Sequence, residues 1–240
     1  MASAAVKWGL AGFLVLGAAV GGELLYLHHR NVMDQTMPEQ ATYKSDPDNL
    51  VFVKREHPMS FKDEKDLKGR TLWISAGDQM VYYPYAGHID FAHPVGVLLG
   101  AEKILVKDAV EEKAKADRMN RIPLGDKQVF VVFTKPGSEK QYAMPVGSKL
   151  GGDYTFSSDD IFYYEDPHTL FNYWGPAVWA AIDEHKAIVG MNERQAQTAL
   201  GQVSTPHGDV IGDRLVTFDN NGHPVDVTFV RDKATKVAGQ

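Results

Sequence analysis

The sequence contains no cysteine among its 240 residues. This absence excludes disulfide bridges, cysteine zinc sites, iron–sulfur clusters, thiol nucleophiles and acylated lipoprotein cysteines. Basic residues are too few for a nucleic-acid-binding surface, because 25 lysines and arginines stand against 31 acidic residues and the net charge is −6. Nucleic acid is therefore not an expected partner. Hydrophobic residues make up 44% of the chain, which is enough for a sizeable core.

Catalytic signatures are missing as well. No serine lies in a G-x-S-x-G motif, and Gly151-Gly152 does not belong to a phosphate-binding loop. Asp159 and Asp160 form a carboxylate pair, but they fall near a predicted strand, where neighbouring side chains point to opposite faces. Shared acid–base chemistry is not expected from them. The sequence predicts a protein that is not an enzyme and that needs no cofactor.

One segment, GHIDFAHP, keeps an enzymatic alternative open. His88, Asp90 and His93 are residue types that bind metal ions, so they are weak candidates for the site of an uncharacterised hydrolase or metal-binding enzyme. Their spacing matches no known ligand motif, and the flanking prolines and glycines predict a loop. Because histidines in solvated loops are common, the preferred expectation is that the protein has no metal site.

A long apolar run lies at the start of the chain. Residues 8–22 carry no charge, and a helix from Ala4 to Leu27 would cover about 30 Å. The sequence therefore predicts a transmembrane anchor in residues 1–30, with a cleaved signal peptide as the alternative. Lys7 and the terminal amine slightly outweigh Arg30, which favours a single-pass protein of the bacterial inner membrane with a periplasmic domain.

Two features of this predicted helix indicate a partner. Gly17 and Gly21 are four residues apart, so they lie on one face and permit close approach of another helix. Glu23 lies near the membrane edge, where an ionisable side chain tends to be paired. We therefore expect these three residues to pack on a larger integral membrane protein complex within the lipid bilayer. A respiratory or photosynthetic reaction-centre complex is a conceivable host.

The middle of the chain divides into a predicted polar linker, residues 31–68, and a β-rich unit, residues 69–166. Short runs of branched and aromatic residues in the second part predict a small β-barrel or sandwich, whose strand lengths are similar to those of an SH3-like barrel. Hairpins are predicted between residues 71–75 and 79–85 and around the turn KPGSE. Asp108 is predicted to cap a short helix over 109–119.

The C-terminal part, residues 167–240, combines helical and strand signals. Pro176 suits the first turn of a helix over 176–187, and Asn192 suits the N-cap of a second helix over 193–200. The dipeptide Asn221-Gly222 then predicts an antiparallel two-stranded ribbon. In that ribbon Phe218 lies opposite Val225 and Val216 lies opposite Val227. The whole chain is thus expected to be an α+β, mostly β protein that begins with a transmembrane helix.

This C-terminal pattern resembles a known family. The run IVGMNERQAQTALGQV, followed by the strands RLVTF and VDVTFV, is similar to the SmpA/OmlA small envelope lipoproteins of the BamE type. Gly190-Met191 and Leu200-Gly201 stand at the matching places. The resemblance implies a non-enzymatic accessory protein of the bacterial envelope, although the chain has no lipid-bearing cysteine. Our main hypothesis is an accessory or scaffold subunit of an inner-membrane complex, and the alternative is an envelope-assembly factor of the BamE type.

Overall fold

A computed structural model describes residues 20–28, 47–75, 80–114 and 121–240. The chain divides into two compact units, Met1–Leu50 and Val51–Gln240. In the first unit, residues 20–28 are helical and Pro47–Leu50 form a 3-10 turn. The second unit contains all of the strands that are described below.

The predicted transmembrane helix is wrong. Within the described ranges, no helix is both long and apolar enough to cross a membrane. In this segment the structure describes residues 20–28, which are helical and include the charged Glu23. The single-pass topology, the inner-membrane location and the periplasmic placement were all inferred from that predicted helix. These assignments are therefore wrong as well.

The second unit is mostly β. Its strands are β1 (Thr71–Ile74), β2 (Val81–Tyr85), β3 (Gly96–Val97), β4 (Lys103–Glu112), β5 (Lys127–Thr134), β6 (Gln141–Leu150), β7 (Asp153–Phe156), β8 (Phe162–Tyr163), β9 (Ser204–His207), β10 (Leu215–Phe218), β11 (Val225–Val230) and β12 (Lys233–Ala238). Its helices are α1 (Phe61–Lys65), α2 (Ser158–Ile161), α3 (Pro167–Leu170), α4 (Pro176–Asp183) and α5 (Glu193–Leu200), with 3-10 turns at Asn172–Trp174 and Asn220–Gly222.

Eight strands form one large antiparallel sheet. Its order is β3-β2-β6-β5-β4-β1-β8, and β7 pairs with the far end of β6. The pairing of β4 with β5 skips Lys107, and the pairing of β5 with β6 skips Val146. Such bulges bend strands and increase their twist, which is consistent with the curling of this sheet into a half-barrel.

The predicted hairpin between β1 and β2 does not form. Strand β1 lies between β4 and β8, whereas β2 lies between β3 and β6. Leu72 and Ile74 of β1 are fully buried in this arrangement, so core contacts with distant strands override the pairing that chain proximity would favour. The other predicted hairpin does form, because the turn after Thr134 joins β5 to β6.

The helix predicted after Asp108 is also wrong, because β4 continues to Glu112 and pairs there with β5. Branched residues in this segment fit a pleated surface that is already half-buried. Strand β5 is buried along almost its whole length, and its alternate residues contribute to two separate apolar clusters, one on each face of the sheet. One cluster includes Leu72, Ile104, Val131, Phe133 and Met144, and the other includes Tyr83, Ile89, Phe130, Val132 and Ala143.

The C-terminal sheet has four strands in the order β12-β11-β10-β9, where the sequence indicated only two. The predicted register is present, with Phe218 opposite Val225 and Val216 opposite Val227. Helices α4 and α5 begin at the predicted positions and pack on each other. Their shared core contains Trp179, Ile182, Met191, Ala196, Leu200, Val216, Phe218, Val227 and Phe229.

The turn between the two helices is joined to the edge of the C-terminal sheet. The amide of Gly190 donates to the carbonyl of Ala234 over 2.8 Å, and the amide of Ala234 donates to the carbonyl of Met191 over 2.7 Å. Gly190 has a φ of +96°, a conformation that favours glycine. The Gly-Met dipeptide therefore connects the helix pair to strand β12.

Candidate functional site

A cleft of about 730 Å³ lies between the α2 end of the large sheet and the C-terminal region. One wall belongs to residues 51–60, a segment without helix or strand that we call the strap and that contributes Val53 and Arg55. The opposite side is formed by α5 and the loop before β10. Other residues that line the cleft include Asp159, Asp160, Phe162, Glu193, Ile211, Arg214 and Phe218.

The charged groups in this cleft are arranged in pairs. The Arg214 guanidinium donates to Glu193 from Nη2 over 2.5 Å and from Nε over 3.2 Å, and both side chains are only 15% exposed. This hydrogen bonding to Glu193 raises the pKa of Arg214. At the other side, Arg55 Nη1 lies 3.2 Å from Asp160 Oδ1. Such paired groups offer hydrogen bonds to a ligand but no activated nucleophile.

The carboxylate of Asp159 binds backbone amides of the strap. Its two carboxylate oxygens accept the amides of Glu56 and His57, each over 2.9 Å. Burial alone would raise the pKa of Asp159, but these two hydrogen bonds, together with the nearby Tyr164 and His57, hold the pKa below its ordinary value. Sequence reasoning placed Asp159 and Asp160 near a strand with opposed side chains. They lie instead in helix α2, where both side chains reach the strap.

The two chain segments that contribute Val53 and Ile211 to the cleft also expose large apolar side chains. Ile211, which lines the cleft, is 73% exposed, and its neighbour Val210 is 62% exposed. On the strap, Phe52 is 96% exposed and Met59 is 83% exposed. We call these four residues the apolar rim. A contiguous exposed apolar patch on a folded protein marks a contact surface for another molecule.

The metal candidates lie elsewhere, in the loop between β2 and β3. His93 Nδ1 is 2.8 Å from Asp90 Oδ2, and this hydrogen bond lowers the pKa of Asp90. His88 and Asp90 line a second cavity of about 770 Å³ together with Tyr85. In the described part of the chain, however, no group of three or more histidines and carboxylates is placed to hold a metal ion. Asp90 and His93 thus form a local brace in an exposed loop.

Of the three residues predicted to pack on a partner, two lie within the described part of the chain. Gly17 lies outside the described residues, whereas Gly21 and Glu23 lie in the helical residues 20–28. A side chain added at Gly21 would meet no atom within 4 Å, and Glu23 is exposed. The packing role of these residues stays a prediction.

A further polar cluster, formed around His168, was missed at the sequence level. His168 Nδ1 lies 2.8 Å from Asp166, and its Nε2 lies 3.0 Å from Asp183. The His168 ring also packs on Trp179, with 4.2 Å between ring centroids. Both ring nitrogens of His168 thus contact carboxylates, and His168 links α3 to α4.

Comparison with known proteins gave no relative from which to infer a role: no family model matches the chain, and neither a curated protein nor a solved structure does. The structural class follows from the fold itself. The second unit is a mostly β body with a large curled sheet, a small C-terminal sheet and a charge-paired cleft between them.

Proposed function

We propose that this protein is a non-catalytic accessory protein that binds a partner protein through the cleft and its apolar rim. The observation that carries the proposal is the exposure of the rim, above all of Ile211, which lines the cleft of about 730 Å³, and of Phe52, the sequence neighbour of the cleft residue Val53. Water contact with these side chains is unfavourable, and burial of a large apolar side chain contributes about 1.5–3 kcal/mol. A partner that covers them would recover this free energy.

The polar lining of the cleft favours a polypeptide as the occupant. The pairs Glu193–Arg214 and Arg55–Asp160 present donors and acceptors close together. A peptide backbone carries both kinds of group at every residue, and its side chains supply the apolar contacts for the rim. An extended segment of a partner protein therefore fits both the polar and the apolar part of this surface.

The experiment uses the full-length protein with a photo-crosslinking amino acid at Ile211. A partner protein should crosslink at this position and should bind the purified chain with defined stoichiometry. Replacement of either Phe52 or Ile211 by Asp should weaken this binding at least tenfold, because a charge is placed where apolar surface is to be buried.

Leu150 supplies the matched control, since it is 65% exposed but lies at the turn between β6 and β7. A crosslinker or an Asp at Leu150 should leave the interaction unchanged. Equal loss of binding in the Leu150 and Ile211 variants would contradict the proposal, as would a chain that binds no protein at all.

A second candidate function rests on the resemblance of the C-terminal part to the BamE-type lipoproteins. It is supported by the order of elements there, two helices followed by antiparallel strands, with Leu200 buried and Gly201 ending the second helix at a φ of +95°. In this case the protein takes part in assembly at the bacterial envelope. Crosslinks from Ile211 to proteins of outer-membrane assembly would favour this role over that of a stable subunit.

A further inference from the structure

The strap and the helix that follows it are held by three consecutive residues of α2. Asp160 pairs with Arg55, and Asp159 accepts two backbone amides of the strap. Ser158, the third, donates its hydroxyl to Oε1 of Glu64 over 2.5 Å. Glu64 belongs to α1, so a carboxyl group takes part in each of these three contacts with α2.

Glu64 is the unusual member of this set. Its side chain is fully buried, and its second oxygen, Oε2, has no hydrogen-bond partner among the described residues. Both residues, Glu64 and Tyr164, line a small cavity of about 200 Å³. An ionised carboxylate at this position lacks the donors that would replace its water, which is costly. Burial accordingly raises the pKa of Glu64 to about 7.

The charges around Glu64 are mainly negative. Asp159 of α2 and Asp63 of its own helix both disfavour its ionised form, although the hydrogen bond from Ser158 favours it. Other titratable or charged groups on the surrounding elements are Glu56, Asp66, Arg70 and Tyr164 at the same cavity. Lys62 pairs with Asp66, Lys65 with Asp108 and Lys54 with Glu56, while Arg55 pairs with Asp160 and His57 lies beside Asp159.

Arg70 is the cation nearest in the cavity lining, but its contacts are directed elsewhere. It donates to Glu56 over 3.0 Å and lies over the Tyr164 ring at 5.2 Å from the centroid. Among the described residues, Glu64 thus has no ion-pair partner that would compensate for its ionisation.

We propose that Glu64 is a protonation switch for the strap: the neutral carboxyl keeps the strap docked on α2, and the ionised carboxylate loosens it. Val51 and Val53 pack on the C-terminal core, so the loosened part is residues 54–60. Because Arg55 lines the cleft, this loosening also changes the cleft wall. Any effect of this change on partner binding rests on the proposed function.

The test measures amide hydrogen exchange of the full chain at pH 6 and pH 8, corrected for the intrinsic pH dependence with an unstructured peptide. The amides of Glu56 and His57 report directly on docking, because they donate to Asp159. The pKa of Glu64 is about 7 when the strap is docked and about 4.5 when it is loosened. The fraction of molecules with a loosened strap should therefore increase about tenfold between these pH values.

The variant Glu64→Gln should show no such increase, whereas Glu139→Gln, an exposed carboxyl in the β5–β6 turn, should behave as the unmodified protein does. An increase that persists in Glu64→Gln overturns the proposal. A carboxyl-carbon NMR titration of the unmodified protein gives a second reading that needs no variant. A Glu64 midpoint near 7 supports the switch, and a midpoint near 4.5 overturns it.

The two proposals fail separately. If the exchange step is present but the crosslink at Ile211 is absent at both pH values, the proposed function fails and the switch stands. If the crosslink forms but the exchange step is missing, the switch fails alone. When both hold, the yield of the Ile211 crosslink should differ between pH 6 and pH 8 in the unmodified protein and be equal in Glu64→Gln.

Discussion

The large sheet and the C-terminal sheet use the same antiparallel pairing, but over different distances along the chain. In the large sheet, Trp73 of β1 lies opposite Tyr163 of β8, with most of that sheet between them in sequence. In the C-terminal sheet, each strand from β9 to β12 pairs with the next one. Local pairing costs less loop-closure entropy than distant pairing. The C-terminal sheet is therefore determined largely by short segments and the large sheet by its whole core.

The two regions also differ in their buried polar groups. Near the large sheet, Glu64 is buried with one oxygen unpartnered. In the C-terminal region, buried Gln195 bonds the backbone of Asn192, and buried Thr198 bonds the carbonyl of Arg194. Neither of these two side chains titrates. We therefore expect pH to act on the large-sheet region through Glu64 and to leave the C-terminal helices unaffected by that route.

The largest effect on the free energy of unfolding is expected from Phe133→Ala at the centre of the large sheet. Phe133 is fully buried, and its ring lies 5.9 Å from the ring of Tyr82 and 5.8 Å from that of Tyr142. Loss of this ring leaves a cavity and should lower the free energy of unfolding by about 4 kcal/mol, measured by urea denaturation.

The shape of that transition tests the comparison of the two sheets. A single shifted transition shows that both sheets unfold together, whereas two transitions show that the C-terminal sheet survives alone. Leu150→Ala, at an exposed site, should change stability by less than about 0.5 kcal/mol. A loss below about 1 kcal/mol for Phe133→Ala would show that this residue is not central to the core.

The same contrast explains what the sequence could predict. Asn221-Gly222 specifies a local turn, so the pairing of Phe218 with Val225 was correctly expected. Likewise, Asn192 and Pro176 define helix starts through their own backbone chemistry. For β1, the strand itself was predicted correctly, but its neighbours were not, because they are chosen by burial of Leu72 and Ile74 against distant strands.

The candidate site was the least predictable part. Asp159 and Asp160 were noticed in the sequence, yet their role depends on the strap. The strap lies far earlier in the chain, since Glu56 and Asp159 are 103 residues apart. Glu64 lies in the predicted polar linker, and a charge pattern does not show which member of a charged run becomes buried. The apolar run before residue 28 illustrates a different error, since hydropathy predicted a membrane span, whereas no helix among the described residues is long and apolar enough to cross a membrane.

The second prediction concerns the pH dependence of stability. The folded protein holds a proton on Glu64 up to about pH 7, whereas the ordinary pKa of this carboxyl is 4.5. Between these values the folded state binds more protons than the unfolded state, so the free energy of unfolding falls as pH rises. The full contribution is about 3 kcal/mol, present below pH 4.5 and lost above pH 7.

Thermal or urea unfolding from pH 4.5 to 8 measures this fall. The difference between the unmodified protein and Glu64→Gln isolates it from all other titrations, and Glu139→Gln serves as the charge-matched control. Parallel curves for the unmodified protein and Glu64→Gln would remove the distinction that we draw between the two regions.

The smallest effect is expected for Asn192→Ala in the C-terminal region. Asn192 Oδ1 accepts the amide of Gln195 over 2.8 Å, and the amide of Asn192 donates to Gln195 Oε1 over 2.9 Å. Loss of this capping box should lower the free energy of unfolding by about 1 kcal/mol, and Asn192→Ser should retain most of it, because serine also accepts the amide. If serine were as destabilising as alanine, the cap would not be the cause. If alanine cost several kcal/mol, the start of α5 would depend on long-range packing, and the contrast between a locally determined C-terminal region and a globally determined large sheet would fail.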